Sequence, residues 1–290
     1  MKPPSFDYAD PRSLGEAVSL ISSYEGEAKV LAGGQSLMPL LNMRMTRPGL
    51  LVDIARIPDL DGIVDDGDAV VIGAMTRQRD VELSDLVRTK HPLLHAVTGQ
   101  IAHPQNRNQG TVGGSVAHAD PAAEYPALAL ALGAEMTVVG PSGERKVMAE
   151  DFFVTYLTTS MAEDEILSEL CFPLLTGGEG WSIQELARRH GDYALAGAIA
   201  TVGLDSAGKC SSARVALFGV GSTAVRSSAA EEAMIGQTPS ETLFEHAGAA
   251  ASAVLDEPLS DVHAGADFRR HLASVMTARA LAEAASRAAS

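Results

Sequence analysis

The chain has 290 residues, 46% hydrophobic and 20% charged, enough for one large or two medium-sized domains without disulfides or structural metals. Its 22 Lys and Arg against 37 Asp and Glu give a net charge of −15, which disfavours nucleic acid as a partner because phosphate binding needs clustered cations. No apolar run reaches the roughly 18 residues of a membrane span, and the two cysteines, Cys171 and Cys210, cannot hold an iron–sulfur cluster. We therefore expect a soluble, cytoplasmic protein in which any redox chemistry comes from a bound organic cofactor.

The first third of the chain alternates short helices and strands. Ser13 and Glu16 form the pattern of a capping box and predict a helix that runs to about Tyr24. The pattern then predicts a strand at 28–31, a helical turn at 37–45, a strand at 50–53, and a hairpin at 63–73 turned at Asp66-Gly67.

The middle of the chain continues with mixed elements. Thr76 and His91-Pro92 predict the starts of two helices. Further along we expect a helix of small residues at 122–132, a hairpin at 135–147 turned at Pro141-Ser142-Gly143, and a strand at 166–172.

A glycine-rich break at 176–180 predicts a domain boundary. Beyond it the pattern predicts three strands, at 181–189, 197–205 and 209–219, followed by two helical stretches, at 226–252 and 266–288. These observations indicate an α+β protein with two domains, residues 1–176 and 177–290.

Two double-glycine segments, 32–45 and 104–127, are the strongest candidates for a binding site. Glycine lets backbone N–H groups converge on a ligand without interference from a Cβ atom. With the hydroxyls of Ser36 and Ser115, the two segments suit a diphosphate. A tight turn explains either segment alone, but two such segments favour a split phosphate site.

Other motifs are less informative. Residues 219–224 match the dinucleotide pattern G-x-G-x-x-A, but no second strand ending in an acid follows, so we interpret them as a strand-to-helix turn. His91 and His95 lack a third ligand for a metal. Residues 188–193 have the character of a solvated loop.

Three segments carry a family resemblance: AGGQSLMPLLNMR, IAHPQ-x-RN-x-GTVGGSVAHADPAAEYPA and ELARRHGDYALAG. They resemble the FAD-binding medium subunit of molybdenum hydroxylases, the xanthine oxidase family, and in particular the carbon monoxide dehydrogenase type. The likeness covers essentially all 290 residues in order.

The resemblance implies a fold. It implies an FAD-binding domain of the vanillyl-alcohol-oxidase (PCMH) type at 1–176, with subdomains at about 1–57 and 58–176. It also implies a smaller α/β domain at 177–290, with a three-stranded antiparallel sheet and helices.

The resemblance also implies an FAD site. The first double-glycine segment should wrap the diphosphate with Ala32, Gly33, Gly34, Gln35, Ser36 and Leu37. The second segment should close on it with Thr111, Gly113, Gly114 and Ser115. Further contacts should come from Ile101, His103, His118, Asp120, Glu124 and Leu167, with Tyr193 close to the isoalloxazine, so that the loop at 188–193 becomes part of the site.

Departures from the family pattern are mild. Gln35 stands where some members have His, Asn106 where Ile is common, and Ser115 where Asn or Asp occurs. Each keeps a polar or tolerable contact, so the resemblance still implies FAD binding.

The function implied is electron transfer within a complex. The partners would be a large subunit with the molybdenum cofactor and a small subunit with [2Fe–2S] clusters, as a dimer of heterotrimers. The chain itself would carry no metal and no catalytic acid, base or nucleophile. The alternative is a self-contained FAD-dependent oxidase or reductase with its own substrate pocket.

Overall fold

The computed structural model describes residues 2–290, whose strands form three sheets and one short ribbon. The strands are β1 (Asp7–Ala9), β2 (Ala28–Leu31), β3 (Leu50–Asp53), β4 (Ile63–Asp65), β5 (Ala69–Gly73), β6 (Glu135–Gly140), β7 (Gly143–Met148), β8 (Phe153–Thr155), β9 (Thr158–Thr159), β10 (Ile166–Pro173), β11 (Gly180–Ala187), β12 (Ala194–Leu204), β13 (Cys210–Phe218) and β14 (Val225–Arg226). The helices are α1 (Leu14–Ser22), α2 (Leu37–Asn42), α3 (Gln78–Leu83), α4 (Asp85–Lys90), α5 (Pro92–Gln100), α6 (Pro104–Arg107), α7 (Val112–His118), α8 (Glu124–Leu132), α9 (Ala149–Phe152), α10 (Ser228–Met234), α11 (Glu241–Ala253) and α12 (Ala266–Ala288).

A parallel three-stranded sheet, in the order β1-β3-β2, begins the chain. Helix α1 covers it, and Ser13 caps this helix by accepting a hydrogen bond from the N–H of Glu16, as the capping pattern predicts. The Glu16 carboxylate, however, accepts from the N–H of Arg12 at 2.8 Å, so the bonds are not the reciprocal pair of a capping box. Strand β2 leads directly into the first double-glycine segment.

A five-stranded antiparallel sheet, in the order β4-β5-β10-β6-β7, follows. Both predicted hairpins are present in it, β4-β5 and β6-β7. Strand β10 lies between them and joins the two hairpins into one sheet. The strand predicted at 166–172 is therefore the central strand of the sheet, with one hairpin on each side.

The C-terminal part contains an antiparallel sheet in the order β11-β12-β13-β14. Three long strands agree with the expectation, and the two-residue strand β14 adds a fourth at the edge. One face, with Ala198, Val202 and Val215, packs on α10, α11 and α12. The opposite face packs on the N-terminal part through residues such as Ile199 and Phe218.

The expectation of one helical stretch at 226–252 is wrong. The segment forms β14 and two separate helices, α10 and α11. Gly236 adopts a positive φ of 75°, and Ser240 starts α11 by accepting a hydrogen bond from the N–H of Leu243. The second predicted stretch, 266–288, is the single helix α12.

Helix α8 lies at the centre of the molecule. All nine of its residues are buried, and it contacts α5 and α7 on one side and β12 and β13 on the other. A helix that is apolar nearly all round is typical of such a position. Because α8 joins the cores of both parts of the chain, its first residue, Glu124, is held in apolar surroundings.

Residues 219–224 connect β13 to β14 within an antiparallel sheet, so they belong to no βαβ unit of the dinucleotide-binding kind.

The two histidines singled out in the sequence are engaged inside the protein. His91 bonds the carbonyl oxygen of Pro173 at 3.1 Å and accepts from the N–H of Leu94, while His95 bonds the carbonyl oxygen of Glu82. Within residues 2–290, no helix is both long and apolar enough to cross a bilayer.

Candidate functional site: a split cleft between two glycine segments

The first double-glycine segment forms a tight connection between β2 and α2. Gly34 adopts a φ of 71°, the left-handed region that favours glycine. In the part of the chain that the structure describes, the backbone N–H groups of residues 33–36 donate to no protein acceptor. Successive unpaired N–H groups at such a turn form a concave site for an anion.

The second segment is organised differently. Thr111 caps α7, and its hydroxyl accepts from the N–H of Gly114 at 3.0 Å. The N–H groups of Val112, Gly113 and Ser115 also donate to protein carbonyl oxygens. The expectation of free N–H groups therefore holds for the first segment only, and in the second segment the glycines allow close packing on Ala74 and Thr111.

The two segments lie against each other. A Cβ atom on Gly33 would collide with the carbonyl oxygen of Gln109, and one on Gly114 would lie 3.4 Å from the Cβ of Ala32. The amide of Asn106 donates to the side-chain oxygen of Gln35 at 3.4 Å. Gly33 is thus required by the close approach of the two segments, whereas a Cβ on Gly114 would first meet the Thr111 hydroxyl of its own segment. The region bordered by residues 33–36 and 111–115 is called the cleft below.

The turn after α5 is held in place by a buried arginine. Arg107 is buried and donates to the carbonyl oxygen of Ile101 at 2.6 Å, while its guanidinium bonds both oxygens of Glu82 at 2.8 and 2.9 Å. A bidentate pair of this kind holds the backbone in one geometry. His103 starts α6 just beyond this turn.

The loop at 188–193, from the C-terminal part, reaches the same place. A Cβ on Gly191, which has a φ of 86°, would collide with the His103 ring. The His190 and His103 rings lie 6.4 Å apart, centroid to centroid. The structure therefore brings this loop onto the N-terminal part, as the family resemblance predicts and the character of its residues alone does not.

Tyr193 lies at the mouth of the cleft. Its residue surface is 60% exposed, yet its hydroxyl lies beside Ser36 and Asp120. Desolvation of the hydroxyl, followed by the negative charge of Asp120, raises the pKa of Tyr193 to about 12. The phenol is therefore neutral and able to donate a hydrogen bond at any physiological pH.

Two acidic residues line the inner end. The carboxylate of Asp120 accepts a hydrogen bond from the N–H of Ala122 at 2.9 Å. The N–H of Gly219 donates to the carbonyl oxygen of Pro121 at 2.7 Å and so connects this loop to the C-terminal sheet. Glu124 is 7% exposed. Burial, then the charges of Glu185 and Asp120, raise the pKa of Glu124 to about 8.

Fewer contacts define the positions of the remaining predicted site residues. Burial lowers the pKa of His118, at the end of α7, against the opposing charge of Asp120. Leu167 lies on β10, buried in the core on which α7 packs. Leu37 is the first residue of α2, partly exposed beside the glycine turn.

Sequence reasoning missed Glu185 as an individual residue. It lies on β11 in the C-terminal part, and its charge acts on Glu124. The available signal was its position in the segment ELARRHGDYALAG, two residues after the apolar Ile183, which places both side chains on the same face of a strand.

The observations that fit a flavin dinucleotide are a turn with unpaired N–H groups, the neighbouring Ser36 and Tyr193 hydroxyls, and the contact of the two glycine segments at Gly33 and Gln109. Comparison with known proteins agrees. The family described as the FAD binding domain in molybdopterin dehydrogenase matches residues 4–175, and the CO dehydrogenase flavoprotein C-terminal domain matches residues 181–284. The chain belongs to the FAD-binding medium subunits of the molybdenum hydroxylases.

Full-length relatives support the assignment. The chain is 44% identical over 288 residues to the 6-hydroxypseudooxynicotine dehydrogenase complex subunit alpha of Paenarthrobacter nicotinovorans, covering 99% of this chain and 97% of that one. It is 40% identical to the carbon monoxide dehydrogenase medium chain of Hydrogenophaga pseudoflava, covering 97% of each.

Solved structures agree as well. A carbon monoxide dehydrogenase chain from Hydrogenophaga pseudoflava superposes with a TM-score of 0.96 at 41% identity and 99% coverage of both chains. A quinoline 2-oxidoreductase chain from Pseudomonas putida gives 0.94 at 36% identity, covering 99% of each. This medium subunit is therefore an FAD-binding subunit of an oxidoreductase family, with the fold of those chains.

The substitution Gly33→Ala tests whether FAD binds in the cleft. The added Cβ pushes the first segment away from Gln109, so we expect FAD affinity to fall at least tenfold, or about 1.4 kcal/mol, in a protein that remains folded. Gly15→Ala is the matched control, because its Cβ meets nothing within 4 Å. Fluorescence titration with FAD measures both. Equal FAD affinities in Gly33→Ala and Gly15→Ala would contradict the assignment of the FAD site to this cleft.

The buried carboxyl of Glu124 predicts a pH-dependent stability in the FAD-free subunit. Its folded pKa of about 8 exceeds the ordinary 4.5, so the stability contributed by the protonated form is complete below pH 4.5 and is lost as the pH rises to about 8. Glu124→Gln removes this loss. The free energy of unfolding of Glu124→Gln minus that of the natural protein should therefore be larger at pH 8 than at pH 5 by a few kcal/mol (about 1.4 per pKa unit).

Urea unfolding at the two pH values measures this difference. Glu144→Gln, an exposed carboxylate on β7, serves as the control and should leave the pH dependence unchanged. A stability difference between Glu124→Gln and the natural protein that is the same at pH 5 and pH 8 would refute the raised pKa.

Proposed function

We propose that this medium subunit transfers electrons within a heterotrimeric molybdenum hydroxylase, from the [2Fe–2S] clusters of a small subunit to FAD and on to an external acceptor. The observation that carries the proposal is the turn at residues 33–36, whose unpaired N–H groups suit the diphosphate of FAD. FAD, when bound, supplies the ability to exchange electrons with both one-electron and two-electron partners.

The chain's own residues bind and orient the cofactor. Residues 33–36 donate backbone N–H groups to the diphosphate, Ala32 lies beside it, and Leu37 begins the helix that fixes this turn. From the second segment, Thr111, Gly113, Gly114 and Ser115 close on the diphosphate. His118, Asp120 and Glu124 contact ribityl, ribose or diphosphate groups.

The remaining residues define the flavin end of the site. Ile101 and His103 lie near the connection between flavin and adenine, and Leu167 provides an apolar contact. Tyr193 covers the isoalloxazine from the C-terminal part. The support for Tyr193 is its 60% exposure at the mouth of the cleft, with its hydroxyl beside Ser36.

A domain division accompanies this assignment. The FAD-binding domain comprises residues 1–176, with subdomains at about 1–57 and 58–176, and the C-terminal domain comprises residues 177–290. The separate parallel and five-stranded sheets support the two subdomains, and the four-stranded sheet supports the second domain.

The partners of the subunit are a large molybdenum-cofactor subunit and a small [2Fe–2S] subunit, as a dimer of heterotrimers. Relatives named as a medium chain and as a complex subunit support this assembly. The two cysteines support it also, because they lie on different sheets, and a [2Fe–2S] cluster needs four protein ligands. Electrons must therefore arrive from another chain.

Co-purification tests the function. We expect the subunit, expressed with its neighbouring genes and purified through a tag on this chain alone, to carry flavin and iron–sulfur absorption and two further chains. Flavin without partners, with substrate oxidation by the isolated chain, would contradict the proposal and favour a self-contained flavin oxidase or reductase. Absence of flavin after adding FAD would contradict both.

A further inference from the structure

Arg269 is a buried cation near the start of α12, the helix that packs on the face of the C-terminal sheet turned away from the FAD-binding part. It is 3% exposed. One Nη atom donates to the carbonyl oxygens of Leu195 and Gly219 at 2.6 and 2.7 Å, and the other bonds the Asp261 carboxylate at 2.6 Å. A charge removed from water to this degree is costly unless it is paired and hydrogen-bonded. The three acceptors therefore form a site built around the guanidinium.

The Leu195 carbonyl oxygen belongs to a β-bulge. The two neighbours at the end of β11, Leu186 and Ala187, pair with the residues on either side of Leu195 in β12. A bulge leaves its extra residue out of the ladder and turns the strand, which changes the direction of the side chains beside it. Arg269 thus bonds an oxygen that the ladder leaves free, two residues after Tyr193.

The Gly219 carbonyl oxygen lies where the next strand ends. Pairing of β13 with β12 stops one residue earlier, at Phe218. The N–H of Gly219 donates to the carbonyl oxygen of Pro121 at 2.7 Å, immediately after Asp120. A single residue therefore connects Arg269 with the loop that carries Asp120.

The third acceptor leads to the other end of the loop at 188–193. Asp261 also accepts a hydrogen bond from the N–H of His263 at 2.7 Å, which closes a compact turn. A hydrogen bond of 2.9 Å joins the His263 Nδ1 atom to the Arg188 Nη1 atom. Arg269 is thus connected to the loop at its end, through Leu195 and the start of β12, and at its beginning, through this turn.

The loop between these two connections contacts the FAD-binding part. Gly191 packs against the His103 ring, and the Tyr193 hydroxyl lies beside Ser36 and Asp120. None of the hydrogen bonds of the Arg269 side chain reaches these residues. The arginine therefore acts on the cleft only through the backbone that it holds.

Stability alone does not explain an arginine at this position. Apolar side chains of similar volume often stabilise a protein as well as a buried ion pair does. Within the described residues, moreover, the buried Nε atom of Arg269 has no hydrogen-bond partner, which is a cost. Arginine is distinguished by its planar group, which bonds several acceptors in one fixed arrangement.

We propose that Arg269 is a positioning residue for the FAD site, which fixes the start of β12 and the Gly219 turn so that Tyr193 and Asp120 meet the cofactor in one geometry. The inference rests on the proposed function, in which Tyr193 covers the isoalloxazine and Asp120 contacts FAD. Arg269 itself does not contact FAD.

Fluorescence titration of the full-length subunit with FAD tests this role. Arg269→Met removes all three bonds and should weaken FAD binding about tenfold. Arg269→Lys keeps the charge and one donor group, and should restore part of the affinity. Arg279→Met, on the exposed side of the same helix, is the matched control and should bind FAD as the natural subunit does.

A double variant separates positioning from a general loss of stability. If Arg269 acts through Tyr193, Arg269→Met should weaken FAD binding by about threefold or less when Tyr193→Ala is already present. A merely structural role would weaken binding by the same factor in both backgrounds. Equal factors would therefore overturn the proposal.

Asp261→Asn keeps the test decisive if Arg269→Met does not fold. The Asp261 side chain is 47% exposed, so this variant should fold and should weaken FAD binding by a smaller factor, again only when Tyr193 is present. Thermal unfolding followed by circular dichroism checks that each variant is folded.

The outcomes distinguish this inference from the proposed function. If Tyr193→Ala weakens FAD binding and no Arg269 or Asp261 variant does, the positioning role alone is overturned. If Tyr193→Ala has no effect, the proposed place of Tyr193 is overturned and the positioning role with it. A natural subunit that binds no FAD would overturn the proposed function as a whole.

Discussion

Burial of α8 between neighbouring helices and the C-terminal sheet is the constraint on which the rest of the molecule depends. The helix is packed by α5 and α7 on one side and by β12 and β13 on the other, so one core serves both parts of the chain. Each fully buried leucine side chain of α8 contributes about 1.5–3 kcal/mol to stability. The same burial disfavours the charged form of the Glu124 carboxyl. The free energy of unfolding therefore depends on the protonation state of a residue in the predicted FAD site.

Close approach of backbone segments follows from this packing. Gly197 has no room for a side chain because the Phe218 ring lies across it on the face toward α8, and Gly180 lies against the backbone of α12. The C-terminal sheet is held close to the FAD-binding part by the packing of α8 on β12 and β13 and by the hydrogen bond from the Gly219 N–H to the Pro121 carbonyl oxygen. This proximity brings the Tyr193 hydroxyl beside Ser36 and Asp120, although Tyr193 belongs to neither glycine segment.

Local signals in the sequence predict local structure well. The hairpin turned at Asp66-Gly67 and the helix at 266–288 are both confirmed, since turn residues and a helical pattern suffice for them. The predicted stretch 226–252 overlooks a helix-termination signal that the sequence does contain, Gly236 followed by Pro239. Hydrogen bonding in the second glycine segment could not be predicted, since the acceptors, Ala74 and Thr76, lie on a distant part of the chain. The role of the loop at 188–193 came from family resemblance and not from its residues.

A crystal structure of the subunit with FAD tests the central claim most directly, because it locates the diphosphate relative to the unpaired N–H groups. We expect diphosphate oxygens that accept hydrogen bonds from the N–H groups of residues 33–36 and from the Ser115 hydroxyl. A diphosphate bound elsewhere, with those N–H groups facing water, would contradict it.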